Sequence, residues 1–396
     1  MADSEPIPPS YEDGLALQRE GRFPEAIAVY REVARRTLTV RLAANLGHCL
    51  GEVGEYAEAE HWLGLAARHQ PANPDIRQRL GAIYSAQDRV ELAELEYRTA
   101  LAFRPDFAAA ELALASLLLS LGRFAEAWPL MEARTRTHQR VVPPVNLPYP
   151  EWTGEPLAGR SVMVQVEQGL GDQIQMARFA GLLKARGAGQ VTLTCRSPLA
   201  PLFLATPGVD ETVALDAGTT AKLRPHDFWT RYFTLPWRLG VTEANLWPGP
   251  YCFASADRKA RWRPDARIGL AWQASPTGFN GANKGLPPDQ ARRLLERGAV
   301  SLQPEDTGVA DMADTAAIID GLDLVISIDT SIAHLAGAMG KPVWILLPFL
   351  KTDWRWMRHR TDSPWYPTAR LYRQARLDGW GEMVDQVMAD LETAGL

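Results

Sequence analysis

The sequence predicts two architectures in one chain: an all-α solenoid of helical repeats, then an α/β region of two Rossmann-like lobes. Three observations predict them. Small residues, alanines and turn residues recur in register at spacings of 33 to 34 through the first third of the chain. A stretch with five prolines, Val141–Gly159, ends that pattern. Beyond it, short β-rich runs alternate with helical segments, and the alternation happens twice.

The repeats come first. Gly14, Gly47, Gly81 and Ala115 are spaced by 33, 34 and 34 residues. Ala26, Ala59, Ala93 and Ala127 keep the same register, as do Tyr30, Leu63, Tyr97 and Met131. Turn residues Gly21, Gly54, Asp88 and Gly122 each fall seven positions after the first small residue. Pro71 and Pro105 close the second and third units. Small residues let two antiparallel helices approach, the turn residue ends the first helix, and the aromatic or aliphatic position fills the gap. A unit this small cannot bury its apolar face alone, so the units stack. This is the tetratricopeptide pattern, written four times over residues 1–138, with a linker over 139–160.

In the α/β region, Ser161–Val166 reads as a strand, Gln173–Arg186 as a helix and Val191–Cys195 as a strand. After Pro264 a second series begins. Ile268–Gln273, Leu324–Ile328 and Val343–Leu347 read as strands, and Pro288–Arg297 and Ser331–Met339 as helices. Such alternation implies parallel sheets covered by helices on both faces. The expected lobes are 161–255 and 256–396. Ligands in these folds sit beyond the carboxyl ends of the strands, which places a site in the cleft between lobes.

Composition narrows the function classes. The 396 residues are 46% hydrophobic and 22% charged, ordinary for globular domains. A net charge of −5 leaves no basic footprint for nucleic acid or anionic membrane. The start, MADSEPIPPSYEDG, lacks the basic head and apolar core of a signal peptide, and no apolar run is long enough to span a bilayer. Cys49, Cys195 and Cys252 lie far apart and form no CxxC pair. They are expected as small buried hydrophobes in a cytoplasmic protein.

Two strand-to-helix junctions carry the candidate chemistry. Glu167-Gln168-Gly169-Leu170-Gly171-Asp172 follows the first strand. Its glycines are expected to permit positive φ and a close approach of substrate to backbone. Asp172, at the helix start, is either an N-cap or a group facing the cleft. The second junction is Ser327-Ile328-Asp329-Thr330-Ser331-Ile332-Ala333-His334. Free amides and hydroxyls at its helix start suit a phosphate, and Asp329 suits a sugar or ribose hydroxyl. His334 lies one turn beyond Thr330 and is either a ligand-facing or a core histidine. A third loop follows Trp272-Gln273 and holds Lys284, either a partner for phosphate charge or a solvated lysine. Asp353-Trp354-Arg355-Trp356 and the Trp365 segment are aromatic-rich, with Trp356 and Trp365 expected in packing. There is no D-x-D motif, no metal-spaced His/Cys cluster and no GxSxG elbow, so no metal or cofactor is expected.

Together, EQGLGDQIQMARF at 167–179, DTSIAHLAGAMGKPVW at 329–344, DWRW at 353–356 and DSPWYP at 362–367 resemble the heptosyltransferase-like (family 9) glycosyltransferases of the two-Rossmann GT-B class. The similarity is greatest to the bacterial subgroup fused to tetratricopeptide repeats. It implies that the first lobe takes an acceptor and the second a nucleotide-activated sugar. Asp172 then stands where the family has its proposed base. Asp329, Thr330, Ser331 and His334 stand at its donor-binding helix start, and Lys284 at its phosphate-facing basic position. The chain departs from the subgroup where Lys284-Gly285 replaces arginine-serine, and where Gln303–Asp314 is shorter. Trp272, Gln273, Gln168, Gly169 and Gly171 complete the expected cleft. The implied activity is inverting, metal-independent transfer to a protein, such as flagellin, presented by the repeats. The surface for that protein is expected around Asn45, His48, Arg77 and Tyr84. A glycosyltransferase for lipid-linked or free glycans, or a non-catalytic adaptor, are the rivals.

Overall fold

The turn residues marked by the spacing fall between the paired helices of the repeats. In the computed structural model, which describes residues 9–137, 146–216, 223–246, 249–275 and 280–396, the repeats form α1 (Tyr11–Arg19), α2 (Phe23–Arg36), α3 (Val40–Glu52), α4 (Tyr56–His69), α5 (Pro74–Ala86), α6 (Val90–Phe103), α7 (Ala108–Ser120) and α8 (Phe124–Met131). The turn residues Gly21, Gly54, Asp88 and Gly122 all have φ between 61° and 87°. That left-handed conformation stops a helix and sends the chain back, at least cost for glycine. The small residues face the positions expected to fill the gap. A Cβ on Gly14 would come within 2.6 Å of the Tyr30 ring, one on Gly47 within 2.7 Å of Leu63, and one on Gly81 within 2.6 Å of Tyr97.

The chain divides into two compact units after Leu117. The first is the helical array, whose core joins Ala26, Tyr30, Leu46, Cys49, Leu63 and Leu80. The second runs from Leu118 to Leu396 and so includes α8. All three cysteines are buried and unbridged, and burial pushes each thiol up to about 12.

The second unit carries two all-parallel sheets. The first contains β1 (Ser161–Gln165), β2 (Gln190–Cys195), β3 (Glu211–Ala214) and β4 (Phe228–Arg231), in the order β3-β2-β1-β4. The second contains β5 (Ile268–Ala271), β6 (Ala299–Ser301), β7 (Leu324–Ile328), β8 (Val343–Leu347) and β9 (Ala369–Arg373), in the order β6-β5-β7-β8-β9. These are doubly wound orders, with reversals between β1 and β4 and between β5 and β7.

The expected helix at Gln173–Arg186 forms as two, α9 (Leu170–Ala177) and α10 (Ala180–Ala185). Arg178 Nε donates to the Gln175 carbonyl at 2.8 Å. The Phe179 amide then turns to Met176 instead, and the helix breaks there. In the second lobe, α11 (Pro288–Glu296) and α14 (Trp380–Ala394) enclose an apolar core with strand residues Ile268, Leu270, Ile326 and Leu346. Helices α12 (Met312–Asp320) and α13 (Ser331–Ala338) belong to the same lobe.

The proline-rich stretch is described from Asn146 onward. It serves as more than a connection: the Trp152 amide donates to Trp229 O at 2.7 Å and the Trp229 amide to Pro150 O at 3.0 Å, extending the first sheet beyond β4. Trp152 is fully buried. No helix among the described residues is long and apolar enough to cross a membrane.

Candidate active site

The site is assembled by the loops that leave β1, β5 and β7 at their carboxyl ends. After β1, the backbone turns left-handed at Gln168, where φ is 60°. This corrects the expectation that the glycines supply positive φ. Gly169 is extended at φ −81°, and Gly171 lies within α9. Gly171 is needed for a different close approach: a Cβ there would lie 2.7 Å from the His334 ring. The glycine thus lets α9 of the first lobe pack on α13 of the second, bringing the two predicted junctions together.

Asp172 is the third residue of α9. Its Oδ2 accepts the Gly169 amide at 2.9 Å, and its Oδ1 accepts an Nη2 hydrogen of Arg355. It is therefore a helix-start acceptor and a site-facing carboxylate at once. Burial pushes the carboxyl above the usual aspartate range, Arg355 opposes that rise, and Asp353 reinforces it.

The β7–α13 loop holds the second group. Thr330 is the N-cap of α13 but its hydroxyl caps no amide. It lies instead 3.2 Å from Ser327 Oγ. Ser331 opens the helix, so its first-turn amides have no side-chain acceptor at the cap. Asp329 pairs with Lys284 at 3.6 Å, and both side chains are mostly buried. Burial and then Asp353 raise the Asp329 carboxyl, while Lys284 opposes them. His334 is buried, with Nδ1 2.8 Å from Tyr366 Oη and its ring stacked on Trp356 at 5.2 Å. Burial, followed by the cations Arg355, Arg178 and Lys284, holds the imidazole well below its usual range and therefore neutral.

Trp272 sits just beyond β5, half-buried, and its carbonyl accepts the Leu286 amide at 3.0 Å. Gln273 is exposed. The structure thus brings Gln168, Gly169, Gly171, Asp172, Lys284, Asp329 and His334 into one neighbourhood.

Sequence reasoning missed Arg355. Its Nη1 donates to both oxygens of Asp353 at 2.9 Å, and its Nε donates to Gln175 Oε1 at 2.6 Å. Its guanidinium lies 4.4 Å from the Trp354 ring centroid and 5.3 Å from that of Phe233. A charged pair embedded among tryptophans was the available signal, since a buried arginine needs partners. Trp356 and Trp365 are fully buried, as expected of packing residues. Among the described residues, no group of three His, Cys, Asp or Glu side chains is arranged to hold a metal ion.

In the first unit, Asn45 is buried. Its Nδ2 donates to Tyr11 Oη at 2.7 Å and its Oδ1 accepts from Arg79 at 3.0 Å. With Arg41, Ala44, Asp75 and Arg79 it lines a groove of about 460 Å³. The other three expected residues do not line it. Arg77 pairs with Glu96 at 3.1 Å, the Arg89 guanidinium covers Tyr84 at 4.5 Å, and His48 meets Phe23 edge-on.

The fold and site define a class: a tetratricopeptide-type helical array followed by a doubly wound, two-lobed α/β domain with a polar site at its strand ends. Three comparisons bear on particular relatives. No family model matches the chain. The chain is 28% identical to Protein FlbA of Caulobacter vibrioides, over 72% of this chain and 55% of FlbA. It therefore spans about half the length of that curated relative. Among solved structures it is similar to the glycosyl transferase family 9 protein from Veillonella parvula DSM 2008, at 14% identity and a TM-score of 0.43, covering 61% of this chain and 99% of that one. It is also similar to MamA from Desulfovibrio magneticus RS-1, at 20% identity and a TM-score of 0.28, covering 33% of this chain and 72% of that one.

Proposed function

We propose that the second unit is an inverting, metal-independent glycosyltransferase that uses a nucleotide-activated sugar, and that the helical array presents a protein acceptor, such as flagellin, in the cytoplasm. One observation carries this reading. A carboxylate at the start of α9 and an uncapped helix start at α13 are held side by side by the Gly171–His334 contact. The first suits removal of a proton and the second suits a phosphate.

In this reading the donor's phosphates lie at Thr330, Ser331 and Lys284, with Asp329 and Trp272 toward the sugar or nucleoside. The acceptor hydroxyl oxygen attacks the anomeric carbon from the face opposite the phosphate. Its proton passes to Asp172, and the bond from the anomeric carbon to the phosphate oxygen breaks. The electron pair leaves on phosphate, where Lys284 and the α13 amides stabilise it. A carboxyl raised by burial is a better proton acceptor than an ordinary aspartate.

Asp172→Asn tests this. Transfer should fall by about 10²–10⁴-fold, the usual worth of a general base, while nucleotide binding measured by calorimetry stays within about twofold. Wild-type turnover by the variant would reduce Asp172 to a helix-start acceptor.

A further inference from the structure

The Asp172 carboxylate is held from both sides: Oδ2 by the Gly169 amide and Oδ1 by Arg355. The cation that holds it is itself bonded along every edge and flanked by two aromatic rings. Asp353 takes Nη1, Gln175 takes Nε, and the guanidinium carbon lies over the Trp354 and Phe233 rings. Gln175 lies one turn along α9 from Asp172, so the same helix that carries the carboxylate also aims its cation. Asp353 is anchored in turn, because its Oδ1 accepts the Arg355 amide at 3.0 Å. Nothing in this arrangement leaves the guanidinium free to swing toward a substrate phosphate.

We propose that Arg355 is the positioning residue of the site. It fixes the direction of the Asp172 carboxylate and keeps that carboxylate charged, while Asp353 and Gln175 hold Arg355 in place. The inference rests on reading Asp172 as the proton acceptor. The charged groups around Asp172 and Arg355 come from three segments. Arg355 and Asp353 approach from the segment after β8, Lys284 from the loop after β5, and Asp329 from the loop after β7. His334 of α13 contributes a neutral ring. Arg355 is the cation in direct contact with Asp172. Without it, a half-buried carboxyl beside Asp353 keeps its proton to higher pH. Arginine rather than lysine fits because three partners in one plane need a rigid fork of donors.

The test follows the Asp172 carboxyl directly, in full-length protein labelled with [13Cγ]aspartate, the resonance being identified by its loss in Asp172→Asn. In Arg355→Gln the titration midpoint of Asp172 should rise by about 1–3 pH units, the range over which a neighbouring arginine acts. In Arg355→Lys, which keeps the charge but loses the fork that three partners share, the midpoint should also rise, by less. Wherever turnover is measurable, its acid limb should move with the same midpoint. An unchanged midpoint in folded Arg355→Gln would overturn the proposal. If circular dichroism shows that variant unfolded, Arg355→Lys decides, and an unchanged or lowered midpoint there overturns it. Because the readout is a titration, wild-type protein without detectable transfer would defeat the glycosyltransferase reading and leave this test intact.

Discussion

At the scale of single residues, the site combines groups whose charges are set by burial. His334 is the clearest case. It was open from the sequence whether this side chain is a ligand or part of the core. The structure places it in packing, between Trp356 and Tyr366 and against Gly171. A histidine held neutral by burial has a depressed folded-state pKa. Its contribution to stability is therefore complete above the unfolded value of 6.5 and is lost as pH falls below it. At one pH unit below, the loss is about 1.4 kcal/mol. His334→Asn keeps an acceptor for Tyr366 Oη and removes the titration. Urea unfolding at pH 7.5 and 5.5 should thus show the gap between wild type and variant shrinking by about that amount. A gap that does not change with pH would show that His334 is charged in the folded protein. Asp172, Asp329 and His334 were legible because each lies at a strand-to-helix junction, where local sequence announces the geometry. Arg355 was not, because it meets Asp172 from 183 residues away and is flanked by tryptophans that read as packing.

At the scale of elements, the turns of the repeats were legible to the residue, since their positions recur. The strands were legible only when long and apolar. β6 is three residues, β4 is Phe-Trp-Thr-Arg, and β9 carries Arg370 and Arg373 among its five residues. None shows enough alternation to be separated from loop. The join between α8 and the first sheet was equally hidden. Arg134, just beyond α8, is buried and donates to both oxygens of Glu167 at 3.0 and 3.2 Å, to Thr234 at 3.0 Å and to Glu132 at 2.7 Å. Glu167 Oε1 also accepts the Phe233 amide at 2.6 Å. This network anchors the loops after β1 and β4, immediately ahead of Gln168. Arg134→Ala leaves the Glu167 charge without its cation, an error that typically costs about 3–5 kcal/mol. Denaturant unfolding should show a loss of that size. A loss below about 1 kcal/mol would mean that Glu167 takes up a proton or reaches water without cost.

At the scale of the whole molecule, the chain joins a helical array to a domain that gathers polar groups at strand ends. The second unit follows a general rule of doubly wound sheets. Crevices open where strand order reverses, and here the reversals fall at the loops after β1 and β4 and after β5 and β7. Those are the loops that carry Gln168, Asp172, Lys284 and Asp329. The fold class was readable because alternation of strands and helices is a long-range pattern that survives the loss of individual short strands. The meeting of α9 with α13 was not readable, because it depends on one missing Cβ at Gly171.

The most direct test of the account is calorimetric titration of the full chain, in EDTA, with UDP-, GDP-, dTDP- and CMP-linked sugars. The account predicts that at least one binds, and that Lys284→Ala and Thr330→Ala each weaken that binding by about 1.5–3 kcal/mol, the worth of a charge-assisted hydrogen bond. Binding of none of them, or binding unchanged in both variants, would contradict it.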